Sequence, residues 1–180
     1  MNKPSEKQSI SYNEIHGFKK EVEIQLTKYL GRLSPEIGMP ARAKSINVCD
    51  SYDVDIHIII KDEALFANRG DIWVECNWRD NSLVRESDIQ KLVIKAQDAF
   101  RYATELGGFY YDTLIMVSNQ DFEINALSYA NELDVLCLRF YQGQLIEKNS
   151  PMNWVGDPAW MDTYLKLYFT NRKMLSVKGY

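Results

Sequence analysis

Two acidic side chains, Asp55 and Glu75, lie in segments with the patterns of neighbouring β-strands. Residues 53–60 (DVDIHIII) alternate and then become wholly apolar, and residues 71–76 (DIWVEC) follow after a polar connection, which predicts a hairpin. If that connection is symmetric about residue 65, Asp55 lies opposite Glu75. Like charges side by side across strands are destabilising unless a cation separates them. The pair therefore predicts a divalent-cation site.

The ion that suits two carboxylates is Mg²⁺, or Mn²⁺ in its place, because both prefer oxygen ligands. Mg²⁺ is typically held by one or two carboxylates together with waters and a substrate phosphate. Such an ion activates a bound water and stabilises the charge that develops on a phosphodiester. Asp53, Asp55 and His57 are predicted to share one face of the first hairpin strand, and each has a simpler explanation. Asp53 and Asp55 can be polar residues at an exposed strand start, and His57 can be a core or rim histidine with its hydrogen bonds satisfied.

The elements before and after this hairpin are predicted from periodicity and capping. Residues 12–33 carry apolar side chains at three- and four-residue steps, which predicts an amphipathic helix, and the prolines and glycine of 34–45 predict a loop. Residues 88–105 form the best-signalled helix, with Ser87 as N-cap and Gln90 at the capping-box position.

The rest of the chain supplies the second half of a sheet. Residues 113–118 and 135–141 are predicted strands, and residues 123–133 between them a helix, so the two strands should pair in parallel. A last helix is predicted from Asp157 to about residue 173. This order describes an α/β fold, a mixed sheet with helices on both faces.

Length and composition fit one globular domain: 180 residues, 46% hydrophobic and 26% charged. No apolar run reaches bilayer length and the first residues lack a signal-peptide core, so we expect a cytoplasmic protein without a membrane partner. The cysteines Cys49, Cys76 and Cys137 show no paired spacing. They are predicted to be buried thiols, not a disulfide framework or a zinc cluster.

Two stretches, IWVECNWRD and TLIMVSNQDFEINALSYANELDVLCL, together with the helix between them, resemble the Mrr-like branch of the PD-(D/E)XK nuclease superfamily. In that family an Asp on one strand precedes Glu-x-Lys or Gln-x-Lys on the next, often in a string such as V-E-C-K-N-W. The resemblance covers about residues 12–141, and Asp55 and Glu75 match the motif Asp and Glu. It implies a restriction-endonuclease-like fold and DNA as substrate.

The sequence departs from this family at the motif lysine. It reads ECNW where the family reads ECKNW, so Asn77 occupies the lysine position or the lysine is deleted. An uncharged amide cannot supply the cation that the family lysine is thought to contribute. Arg79, Lys91 or Lys95 can bring the missing charge, although the two lysines are also explained as surface residues on a helix.

Two functions follow from the resemblance. In the first, the protein is a metal-dependent DNA endonuclease in which Asp55 and Glu75 bind Mg²⁺ or Mn²⁺, the backbone carbonyl of Cys76 completes the coordination, and Asn77 holds a water. In the second, it is a nuclease-like module without catalysis that serves as a nucleic-acid-binding or protein-interaction subunit, which Asn77 favours. The net charge of −4 is not the basic balance expected of proteins that hold nucleic acid by phosphate contacts alone.

We divide the chain into a polar leader at 1–11, a restriction-endonuclease-like domain at 12–145 and a C-terminal helical extension at 146–180 packed on the domain. The aromatic residues of the extension can stack nucleobases, but packing of its helix explains them better. A duplex cut on both strands requires a homodimer or two sequential events.

Overall fold

The first helix, α1, forms where apolar side chains recur at three- and four-residue steps. It spans Tyr12–Tyr29 and a 3-10 turn follows at Gly31–Leu33. The computed structural model describes residues 12–38, 42–47, 51–60, 70–108 and 110–154. Phe18, Val22 and Leu26 are buried on one side of α1, as their spacing predicts.

The predicted hairpin is confirmed. Strand β4 (Ile56–Ile60) pairs antiparallel with β5 (Gly70–Asn77), and Ile56 lies opposite Val74. This register has the symmetry about residue 65 that the sequence predicts, because each pair of opposite residues sums to 130. The two strands form the part of the sheet that carries the candidate carboxylates.

The parallel half of the sheet is confirmed as well. Strands β6 (Thr113–Ser118) and β7 (Val135–Tyr141) pair in parallel with each other, and β6 pairs in parallel with β5. Helix α2 (Glu86–Leu106) connects β5 to β6, and helix α3 (Ile124–Glu132) connects β6 to β7. The chain therefore folds as a mixed α/β sheet with helical connections between its parallel strands.

Short edge strands that the sequence did not predict complete the six-stranded sheet. Strand β1 (Pro35–Ile37) pairs antiparallel with β4, and β8 (Gln144–Glu147) pairs antiparallel with β7. The sheet order is β1-β4-β5-β6-β7-β8. The prediction of a loop throughout 34–45 was wrong, because this segment contains two short strands, Pro35–Ile37 and Arg42–Lys44.

A second, two-stranded sheet pairs β2 (Arg42–Lys44) with β3 (Ser51–Asp53). Its anchor is Asp98, a buried carboxylate on α2. Asp98 accepts hydrogen bonds from the side chains of Ser45, Asn47 and Tyr52. Three donors on one carboxylate offset the cost of burying it, so they fasten the small sheet to α2.

The two faces of the large sheet bury separate cores. One core packs α2 and α3 against side chains such as Trp73, Leu114 and Cys137. The other packs α1 against side chains such as Ile56 and Val74. The predicted arrangement of helices on both faces is therefore confirmed.

The start of α2 differs from the sequence prediction. Ser87 lies inside the helix, and Arg85 is the N-cap. The carboxylate of Asp88 accepts a hydrogen bond from the Arg85 backbone N–H at 2.9 Å, which satisfies one of the donors near the helix start. The predicted roles of Ser87 and Gln90 were wrong, because the acidic side chain at the third helical position does the capping.

Several predictions fall outside the described residues: the leader at 1–11, Cys49, and the last helix with most of the aromatic cluster. Of the two cysteines within the described ranges, Cys137 is a buried free thiol, as predicted, whereas Cys76 is a free thiol that is only partly buried. Among the described residues no helix is long and apolar enough to cross a membrane.

Candidate functional site

Asp55 lies in a bend one residue before β4, at the position where the hairpin register places it opposite Glu75. Residues on either side of it enter different cores: Val54 packs with α2 and α3, whereas Ile56 packs with α1. Regular alternation would have put both on one face, so the chain turns at Asp55. The Cys76 backbone N–H donates to Asp55 Oδ2 at 2.7 Å and fixes the carboxylate against β5.

The second oxygen of Asp55 accepts a hydrogen bond from Lys19 on α1. Partial burial lowers the pKa of Lys19, but the hydrogen bond and negative charge of Asp55, with smaller contributions from Cys76 and Glu75, more than reverse this and leave the pKa raised. Lys19 is therefore a firmly charged ammonium beside the acidic pair. Lys19 was not predicted as a site residue. The sequence pattern that indicates it is its position directly after the buried Phe18, at the edge of the apolar stripe of α1.

Glu75 follows Trp73 by two residues on β5, and its lysine partner lies on α2, whereas the lysine partner of Asp55 lies on α1. Its Oε1 accepts a hydrogen bond from Lys95 Nζ on α2 at 2.8 Å, and its Oε2 accepts one from Trp73 Nε1 at 3.3 Å. Lys95 is half-buried beside it. Of the residues named as able to supply the missing charge, Lys95 is thus the one bonded to a candidate ligand.

Asn77, at the position of the motif lysine, is bonded to an arginine. Its Oδ1 accepts a hydrogen bond from Arg79 Nε at 3.1 Å. The same guanidinium contacts the Ser82 hydroxyl at 3.1 Å and pairs with Asp88. The Arg79 backbone N–H donates to Asn119 Oδ1 at 2.7 Å. The guanidinium of Arg79 therefore lies beside Asn77, whose own side chain is uncharged.

The fold has a counterpart among solved structures. It resembles a crystal structure of a protein of unknown function, AF1548. The TM-score is 0.50 and the identity 10%, and the match covers 71% of this chain and 61% of that one. At this identity the likeness shows a shared fold alone. No family model matches the sequence, and no curated protein matches it.

The carboxylates of Asp55 and Glu75 can accept more hydrogen bonds or ligands than they do in this structure. Each oxygen of Asp55 and Glu75 accepts one hydrogen bond from the protein, and a carboxylate has about four lone-pair sites, so acceptor capacity remains. Among the described residues no group of three or more His, Cys, Asp or Glu side chains could hold a metal. If Asp55 and Glu75 held one ion together, it would have these two carboxylates and fill its remaining positions with water, phosphate or backbone oxygen, as Mg²⁺ commonly does.

The thiol of Cys76 is a poor candidate for chemistry of its own. Burial raises its pKa well above the ordinary value, and the charge of Asp55 raises it further, while Lys19 lowers it less. These shifts favour the protonated thiol, which is a weaker nucleophile than the thiolate. In this structure Cys76 contacts the site through its backbone N–H, which binds Asp55.

Two other polar residues of the first hairpin segment lie away from the acidic pair. His57 is buried, with Nε2 2.6 Å from Asp71 Oδ1 and its ring edge-on to Tyr111, so it is a satisfied core histidine. Asp53 belongs to β3 in the small sheet, where it is exposed and pairs with Arg42 at 3.3 Å. The prediction that Asp53 shares a strand face with Asp55 was therefore wrong, because the bend at Asp55 separates β3 from β4.

Proposed function

We propose that the protein is a nuclease that uses Mg²⁺ or Mn²⁺ to hydrolyse phosphodiester bonds in DNA, with Asp55 and Glu75 as metal ligands. The observation that supports this most is the bond of 2.8 Å between Lys95 Nζ and Glu75 Oε1. It brings an ammonium group from α2 to the candidate ligand and so compensates for the asparagine at position 77. The bound ion would polarise the phosphate and lower the pKa of the attacking water.

Four further residues near the proposed ion have separate roles in this proposal. Lys95 offsets the charge that develops on the phosphate, which is the role a preorganised cation has in such transition states. Asn77 orients a water through its amide, whose oxygen is held by Arg79. Cys76 holds Asp55 in place through its backbone N–H, and its backbone carbonyl is the third metal ligand that we propose. Lys19 steadies Asp55 from α1.

DNA is the proposed partner, approached through Lys19, Arg79 and Lys95 in spite of the net charge of −4. Each of these cations is paired with a carboxylate, so a metal ion that takes over the carboxylate would free the cation to contact the DNA backbone. Cutting both strands requires a homodimer or two sequential events, and we propose the cytoplasm as the place of action.

The test is plasmid cleavage by purified protein in Mg²⁺ or Mn²⁺. Asp55→Ala and Glu75→Gln should abolish cleavage, and Lys95→Met should reduce the rate about a hundredfold, the effect of removing one preorganised donor. The matched control is Lys91→Met, an exposed lysine on the same helix, which should change the rate by no more than about twofold. Cleavage that survives in Asp55→Ala would refute the assignment of the site.

A second function is supported by the same ion pairs. Because each carboxylate of the acidic pair already has a lysine partner, the site is electrostatically balanced without any ion, as it would be in a module that binds nucleic acid or a protein and no longer cleaves. Asn77→Lys separates the two functions. Restored cleavage in that variant means a dormant site, whereas a variant that stays inert and still binds DNA means a binding module.

A further inference from the structure

A cleft of about 370 Å³ opens beside α1. Its aromatic lining consists of Phe18, Trp78 and Phe140. The ring of Phe18 lies edge-on to the other two, with centroid distances of 5.2 Å to Trp78 and 5.7 Å to Phe140. Phe18 is buried, whereas Trp78 and Phe140 are only half-buried. Half-exposed aromatic rings grouped at one cleft indicate a surface that another apolar element covers.

The apolar surface of this cleft continues along the same face of the sheet. Leu145 on β8 lies opposite Phe140 on β7, and both pack against the core that α1 covers. Trp154, the last described residue, packs against that core as well and is half-buried. The chain therefore continues beyond Trp154 from the sheet face on which the cleft opens.

The chain arrives at Trp154 from the opposite end of β7. The Asn153 backbone N–H donates to Asp134 Oδ1 at 3.1 Å. Asp134 directly precedes β7, and Phe140 is six residues further along the chain. At about 3.3 Å per strand residue, these two positions are roughly 20 Å apart. The helix predicted from Asp157 to about residue 173 would be about 25 Å long, so it can reach from Trp154 to the cleft.

The sequence of residues 157–173 has the apolar pattern that such a position requires. Apolar side chains at three- and four-residue steps give a helix one apolar side, the pattern with which helices pack into grooves. In this segment these side chains are Trp160, Tyr164, Leu167 and Tyr168.

The charges of the same segment match the charge of the cleft. The two acidic residues of 157–173, Asp157 and Asp162, come first, and Arg172 and Lys173 come last. Glu21 is exposed on α1 and lines the cleft. A helix that starts near Trp154 and ends at the cleft therefore brings opposite charges together.

We propose that the cleft is the docking site of this chain's own segment 157–173, which packs as a helix along the α1 face of the sheet. Its apolar side covers Leu145 and Phe140, and its last turn brings Arg172 and Lys173 to Glu21. This docking does not depend on the nuclease function that we propose.

Docking at this place bears on the candidate site through α1. Phe18 lines the cleft and directly precedes Lys19, which donates to Asp55. A helix packed against Phe18 holds this turn of α1 on the sheet. It therefore stabilises the position from which Lys19 reaches the acidic pair.

The test is amide hydrogen exchange of the whole chain, measured by mass spectrometry. We expect residues 157–173 to exchange at least about tenfold more slowly than a free peptide of the same sequence. Glu21→Lys should raise their exchange rate about threefold by repulsion, and Arg172→Glu with Lys173→Glu in the same chain should restore the protection. The matched control is Glu132→Lys, an exposed position on α3 across the sheet, which should leave the rate unchanged.

Gly17 provides a second variant that acts through shape. It lines the cleft, and a Cβ added there meets nothing within 4 Å, as is also true of Gly31 outside the cleft. Gly17→Met should fill the cleft and raise the exchange rate of residues 157–173 about tenfold, whereas Gly31→Met should leave it unchanged. Unchanged exchange of the β5 and β6 peptides shows that each variant is folded.

Two results would overturn the proposal. The first is a segment that exchanges at the free-peptide rate in the unaltered protein, or at the same rate with and without Gly17→Met and Glu21→Lys. The second is protection that falls on dilution while sedimentation shows a dimer, because the segment would then dock on a second copy of the chain. Protection that is independent of protein concentration and is lost in both variants supports docking within one chain.

Discussion

Asp55 and Glu75 differ in how easily their hydrogen-bond partners can move away from the carboxylate. Asp55 is bonded to a backbone N–H, which cannot move without β5, and to Lys19, which can. Glu75 is bonded to the flexible end of Lys95 and to an indole at a longer distance. Exchange of either ammonium for a divalent ion would leave the bond between the Cys76 backbone N–H and Asp55 in place, so this oxygen of Asp55 keeps its position.

The thiols of Cys76 and Cys137 lead to a prediction about alkaline pH. Burial raises the pKa of Cys137 and of Cys76, so the unfolded protein releases these protons at lower pH than the folded protein. The contribution of these two thiols to the free energy of unfolding should be constant below about pH 8.5, the ordinary cysteine pKa, and fall above it by up to about 1.4 kcal/mol per pH unit for each thiol. Urea unfolding at pH 8 and pH 10 measures it.

The control for this titration is Cys137→Ala, which removes one of the two thiols. Its loss of stability between these pH values should be smaller than that of the unaltered protein, whatever its stability at pH 8. Equal losses in the two proteins would mean that Cys137 does not contribute to the pH dependence.

The chain lies close to strand β4 at Gly38, directly after edge strand β1. The Gly38 backbone N–H donates to the His57 carbonyl at 2.8 Å, directly after β1. A Cβ at Gly38 would lie 2.5 Å from His57 Nδ1. The imidazole cannot move aside, because it is buried and its Nε2 is 2.6 Å from Asp71. The contact between these strands therefore requires glycine at position 38.

Gly38→Ala should lower the free energy of unfolding by about 1–3 kcal/mol, the usual cost of overpacking a core. Gly17→Ala is the matched substitution, because its added Cβ meets nothing and alanine favours helix over glycine by about 1 kcal/mol. Urea unfolding of both variants gives the comparison. If the two substitutions change stability alike, β1 does not pack on His57 as described.

The elements that could be predicted from the sequence are those long enough to show a period. The pattern of α2 extends over five turns, and β6 and the first four residues of β7 are mostly apolar runs between helix signals. Strands of three or four residues such as β1 and β8 have no period to detect, and their pairing depends on a neighbouring strand.

At the candidate site too, contacts within the hairpin could be predicted from the sequence, whereas contacts between elements distant in the chain could not. The pairing of β4 with β5 has the predicted register, which a connection of known length nearly fixes, and this register brings Asp55, one residue before β4, beside the end of β5. Lys19 is 36 residues from Asp55, and its approach depends on how α1 packs across the sheet. No local pattern encodes such a contact. The bend that removes Asp53 from β4 was also hidden, because its sequence alternates as a strand does.

Over the whole molecule, an acidic chain with a small local cluster of cations should bind DNA weakly and with modest salt dependence. The net charge is −4, and the cations at the acidic pair are Lys19, Lys95 and Arg79, each already paired with a carboxylate. Each phosphate neutralised by such a cation releases condensed counterions and contributes about −0.9 to the slope of log K against log salt. The slope therefore reports how many of these cations leave their partners to contact DNA.

We expect a slope of about −3 for duplex DNA, one unit for each of Lys19, Lys95 and Arg79. Fluorescence anisotropy over a range of KCl concentrations, in EDTA to prevent cleavage, measures it. Lys95→Met should make the slope shallower by about one unit, whereas Lys91→Met on the same helix should leave it unchanged. Equal changes in both variants would mean that DNA contacts the exposed face of α2 instead of the acidic pair, and a slope near zero would remove phosphate contact from the proposed function altogether.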